Sequence, residues 1–188
     1  MSETYLNKEE KKRLLEIARR SINEHVAKGS VPSFTVTEEN LKGKQGAFVT
    51  INKKGQLRGC IGNFVSEKSL HQTVQDMAIA AATQDPRFPP LSRKELKDIE
   101  LEISVLSPLR EIKDTNEIKV GKYGIYLTRG IYRGVLLPQV ATEYGWDRET
   151  FLEHTCLKAG LPADAWKDPE TEVFLFTAEV FGADFRDI

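Results

Sequence analysis

The sequence predicts an α+β protein with a mainly antiparallel sheet flanked by helices. Three observations carry this expectation. A long amphipathic segment opens the chain, apolar runs then recur in pairs around short turn signals, and strand–helix–strand crossovers are outnumbered. Strands joined by tight turns build antiparallel sheet, whereas parallel sheet needs crossovers of a dozen or more residues.

The elements follow in order. Asn7 is placed to cap the first helix, and Glu10 completes a capping-box pattern. Leu14, Leu15, Ala18, Ile22 and Val26 form its apolar stripe. Gly29 stops it and Val31-Pro32 leads away. Gly46 to Ile51 reads as a strand, Asn52-Lys53-Lys54-Gly55 as a turn, and Leu57 to Gly62 as the return strand of a hairpin. Ser66 or Ser69 can cap a second helix, on which Leu70, Val74, Met77, Ala78 and Ala81 share a face. Asp85-Pro86 ends it, because proline disfavours helix at the residue before it. Ser92 can cap a short turn through Leu96.

Ile99, Leu101, Ile103 and Val105 alternate with polar residues, the pattern of a half-buried strand. Glu117 to Val120 reads as another short strand. Tyr123 to Thr128 and Ile131 to Leu137 flank Arg129-Gly130 as a second hairpin. Gln139 to Tyr144 suits one or two helical turns. Asp147 can cap a helix carrying Phe151, Leu152, Thr155 and Leu157, with Gly160 and Pro162 beyond it. Glu172 to Phe181 reads as one last strand, rich in Val and Phe.

Composition narrows the function classes. The 188 residues suffice for a real core without disulfides or metals. A formal net charge of -1 gives no footprint for a nucleic-acid or anionic-membrane partner. Two cysteines, Cys60 and Cys156, make no disulfide framework and point to a reduced, cytoplasmic setting. Met1 to Lys12 is polar and holds no signal-peptide core, and no run is long enough to span a membrane.

The most informative stretch is Leu57-Arg58-Gly59-Cys60-Ile61-Gly62. Strand alternation places Leu57 and Ile61 on one face, with Arg58 and Cys60 on the other. The glycines clear space beside the thiol. A guanidinium near a thiol favours the thiolate, the form that attacks electrophiles. The same residues also suit a buried structural cysteine in a tight corner. Arg58 is a candidate to bind an anion by its planar fork, or to pair with Glu102 or Asp85. Three prolines in Asp85-Pro86-Arg87-Phe88-Pro89-Pro90 stiffen a loop that can present Asp85 and Arg87. His71 is a candidate base for Cys60, Glu102 a mid-strand acid, and Gln139 an amide donor and acceptor. His154 and Cys156 diverge around a helix, His25 decorates another, and no zinc or iron–sulfur spacing appears. No cofactor is therefore expected. No phosphate-binding glycine motif and no G-x-S-x-G is present either.

Several blocks agree in order: Gly46-Ala47-Phe48-Val49-Thr50, Leu57 to Gly62, Asp85 to Leu91, Glu102-Ile103-Ser104-Val105-Leu106, Leu137-Pro138-Gln139-Val140, Gly145-Trp146-Asp147 and Lys158-Ala159-Gly160. Together they resemble the AMME chromosomal region domain family, whose microbial branch is called AmmeMemoRadiSam system protein A. The resemblance covers nearly the whole chain, and the cysteine-bearing hexapeptide is the family signature. It implies a single domain of this type over residues 1–188, α+β with a second, smaller lobe. It also implies a shared pathway or complex with a Memo-type protein and a radical-SAM protein. Two functions stay open. One is a thiol-dependent enzyme or accessory protein, with Cys60 and Arg58 central and Asp85, Arg87, Glu102, Gln139 and His71 around a small polar ligand. The other is a protein-binding or scaffold module in which the hexapeptide is structural.

Overall fold

The computed structural model describes residues 5–188. The expectation that no signal peptide opens the chain falls partly on residues 1–4, outside the described residues. The chain divides into two compact units. One runs to Leu106 and resumes at Glu179–Ile188; the other, Ser107–Ala178, is inserted between them.

In the first unit, α1 (Lys8–Lys28) begins with the full capping box: Asn7 Oδ1 accepts from the Glu10 N–H at 2.9 Å, and Glu10 Oε2 accepts from the Asn7 N–H at 2.8 Å. Gly29 ends it in the left-handed region at φ 68°, where a side chain would be strained. Strands β1 (Ala47–Lys53) and β2 (Gln56–Asn63) form the hairpin, turning through Lys54 and Gly55, both at positive φ. After α2 (Leu70–Thr83) and a 3-10 turn over Arg93–Asp98 comes β3 (Ile99–Leu106).

The second unit holds β4 (Arg110–Ile112), β5 (Gly124–Arg129), β6 (Tyr132–Leu136), α3 (Pro138–Glu143), α4 (Arg148–Lys158) and β7 (Glu172–Phe176). Strand β8 (Ala178–Asp184) returns to the first unit's sheet. The strand orders are β2-β1-β3-β8 and β4-β7-β5-β6. The α+β class read from the hairpin pattern is the one observed.

Helices α1 and α2 cover one face of the first sheet. Leu14, Ala18 and Ile22 of α1 and Leu70, Val74, Ala78 and Ala81 of α2 meet Val49, Ile51, Leu101 and Ile103 in one buried core. In the second unit α4 lies so close to β6 that a Cβ on Gly134 would collide with the Thr155 carbonyl. Phe151, Leu152 and Cys156 of α4 join Ile125, Leu127 and Leu175 in a separate core.

Two elements differ from the sequence reading. Glu117 to Val120 is not a strand: Thr115–Glu117 is a 3-10 turn, capped where Asp114 accepts from the Asn116 N–H. The strand nearby is β4, three residues long and paired with β7. The run from Glu172 to Phe181 is two strands in two sheets. Thr177 breaks it: its N–H donates to Ser107 Oγ at 2.9 Å, and its carbonyl accepts from the Ser107 N–H at 2.9 Å. Among the described residues, no helix is long and apolar enough to cross a membrane.

Candidate functional site

The hexapeptide occupies most of β2, an edge strand. Ile51 pairs with Gly59 and Asn52 with Leu57, so Arg58 is the extra residue of a β-bulge. The bulge breaks the expected alternation. Leu57 falls opposite Asn52 and is exposed, while Gly59 and Ile61 face the helices. A Cβ on Gly59 would run into the Ala81 carbonyl of α2, so this glycine lets helix and strand touch.

Cys60 lies on the other face, half-buried. It stands opposite Thr50, which in turn stands opposite Glu102. Directly paired residues project to the same face, so thiol, hydroxyl and carboxylate form a row across three strands. Thr50 Oγ1 donates to Cys60 Sγ at 3.2 Å. Gly62, two residues on, leaves room for the Phe48 ring, which meets Phe64 edge-on at 4.8 Å.

An edge strand presents unpaired N–H groups. At Cys60 the partner is Asp85, whose Oδ2 accepts from the Cys60 N–H at 2.9 Å. Asp85 follows the end of α2, and its side chain is only 2% exposed. It also holds Arg87 by both edges: Nε donates to Oδ1 at 3.0 Å and a terminal nitrogen to Oδ2 at 2.8 Å. The Arg87 N–H adds a bond to Oδ1 at 3.1 Å. These bonds, Arg87's first and the Cys60 N–H next, keep the Asp85 carboxyl well below the usual carboxylate range. Arg87 is pushed the other way, chiefly by Asp85. Asp85 Oδ2 thus joins the Arg87 guanidinium to the Cys60 N–H, and the Arg87 side chain is 54% exposed.

Arg58 pairs with neither Glu102 nor Asp85. Its Nε and a terminal nitrogen donate to the two oxygens of Glu95, at 3.0 and 3.2 Å. Glu95 also accepts from Lys53 at 2.9 Å and from the Ser92 N–H and hydroxyl, closing a capping box on its 3-10 turn. Arg58, first among these, holds the Glu95 carboxyl well below its usual range. Arg58 and Arg87 both approach the ring of Phe88, at 5.9 and 5.5 Å from its centroid.

His71 Nδ1 meets the Leu41 carbonyl and the Ser69 hydroxyl, each at 3.1 Å. Gln139 belongs to α3 of the second unit. The cluster of Cys60, Thr50, Glu102, Asp85, Arg87, Arg58 and Glu95 is built wholly from the first unit. Sequence reasoning missed Glu95 and Thr50. The Ser92–Glu95 capping pattern was a readable signal for Glu95, and strand pairing was one for Thr50. Among the described residues, no group of three His, Cys, Asp or Glu side chains is placed to hold a metal.

The fold and site define a class: a two-unit α+β protein with a cysteine fixed on the edge strand of an antiparallel sheet. The chain belongs to the AMMECR1 family, whose model matches residues 15–181. A protein of Methanothermobacter thermautotrophicus is 46% identical over 187 residues, covering 95% of this chain and 97% of its own length. Protein TK0174 of Thermococcus kodakarensis is 44% identical over 185 residues, covering 92% and 89%. A crystal structure of protein PH0010 from Pyrococcus horikoshii superposes with a TM-score of 0.82 at 41% identity, covering 95% of this chain and 94% of that one.

Proposed function

We propose that Cys60 is the ligand-contacting thiol of a small polar site, in a thiol-dependent enzyme or accessory protein. One observation carries this reading. The buried carboxylate of Asp85 fixes the backbone of Cys60 and the guanidinium of Arg87 together, on a half-buried thiol that faces away from both helices. Asp85 acts through Cys60 and Arg87 as a positioning residue, since its oxygens are already engaged. Arg58 braces the bulge through Glu95. His71, engaged with Leu41, and Gln139 play no part in this reading. Both cysteines are free thiols, which suits a reduced cytoplasm. In that setting the protein works with a Memo-type protein and a radical-SAM protein.

A second reading has its own support. Gly59 is accounted for by packing against Ala81 alone, as a structural corner would require. In that case the protein is a scaffold for the same partners. Co-purification of wild type and Cys60→Ser with a Memo-type and a radical-SAM protein separates the two. The thiol reading expects partner capture by both, with the cellular activity of the set lost in Cys60→Ser. Full activity of Cys60→Ser would favour the scaffold.

A further inference from the structure

Two side chains of opposite charge flank the row that carries Cys60. On the β2 side stands Arg87, half-exposed, with one terminal nitrogen not used by Asp85. On the other side, in the register row of Cys60 and Thr50, stands Glu102 on β3. Glu102 is half-buried near the middle of the sheet and forms no ion pair among the described residues. Its flanks are small: Thr50 on one side, and on the other Gly182 of β8, where a Cβ would collide with the Leu101 carbonyl and crowd the backbone of Glu102. A half-buried carboxylate without a counter-charge, beside small neighbours, is a poor choice for stability alone.

We infer that the ligand meeting Cys60 is a zwitterion, with its anionic end at Arg87 and its cationic end at Glu102. This rests on the reading of Cys60 as an accessible thiol. Two strand spacings separate the backbones of Cys60 and Glu102, about 10 Å. An extended peptide of about three residues is long enough, as is any zwitterion of similar reach.

Charged thiol reagents test this on the full chain. The probes are methanethiosulfonates bearing trimethylammonium-ethyl, sulfonatoethyl or plain methyl groups. In each the thiolate sulfur displaces methanesulfinate, forming a mixed disulfide on Cys60. Rates are normalised to the same reagent on glutathione. Wild type is expected to favour both charged reagents over the methyl one. Glu102→Gln loses the preference for the cationic reagent by about three- to tenfold, leaving the other two unchanged. Arg87→Gln loses the preference for the anionic reagent, and Arg87→Lys retains it. If Cys60 reacts but neither variant changes the charge preference, the zwitterion inference is overturned and the accessible thiol stands. If no reagent modifies Cys60, both fall.

Discussion

The carboxylate of Asp85 accepts a hydrogen bond from the backbone N–H of Cys60 at 2.9 Å, across 25 positions of sequence. This bond closes the open edge of β2 at the candidate nucleophile and ties it to the loop that carries Arg87. Asp85→Asn keeps the shape but removes the charge. Hydrogen exchange at the Cys60 amide is expected to rise roughly tenfold in this variant, read by NMR or mass spectrometry.

The same carboxyl sets a pH dependence. Its folded-state value lies below the ordinary 3.8. A depressed value stabilises the fold above the unfolded pKa, and that stability is lost as pH falls through the folded one. The stability gap between wild type and Asp85→Asn is therefore expected to be flat from pH 7 to about 5 and to shrink below 3.8. Urea unfolding across that range reads it.

Glu95 joins Arg58, Lys53 and the Ser92 cap, and both Arg58 and Glu95 side chains are largely buried. Glu95→Ala leaves the Arg58 guanidinium without its counter-charge and is expected to cost about 2–4 kcal/mol in chemical unfolding. Lys53→Ala, at a more exposed partner, is expected to cost under about 1 kcal/mol.

Gly59 and Gly62 both permit close packing. A Cβ on Gly59 meets the Ala81 carbonyl of α2 at 2.2 Å, and one on Gly62 meets Phe48 Cγ at 2.3 Å and the Ala47 carbonyl at 2.7 Å, none of which can swing away. Gly59→Ala and Gly62→Ala are each expected to destabilise by about 3 kcal/mol. Thermal or urea unfolding of the two variants checks this.

Local signals were legible where chemistry and structure lie close in sequence. The Asn7–Glu10 box, the Gly29 stop, the Lys54-Gly55 turn and the Asp147 cap all act within four residues, and each marks an observed boundary. What pairing decides over long range was not. Strand β4 is three residues long and exists because β7 lies beside it. The last apolar run divides at Thr177 because Ser107, 70 positions earlier, takes both of its backbone groups. The bulge falls at Arg58, whose guanidinium meets Glu95, 37 positions away, while Arg87 is tied to the Cys60 N–H through Asp85.

The central claim is that Cys60 is an accessible, working thiol while Cys156 is core. Cys156 is fully buried, and burial pushes its thiol pKa up. The direct measurement is the rate of iodoacetamide alkylation at each cysteine of the native protein at pH 7, mapped by mass spectrometry. The account predicts that Cys60 reacts at least about tenfold faster than Cys156. Equal inertness of both thiols, or faster reaction at Cys156, would contradict it.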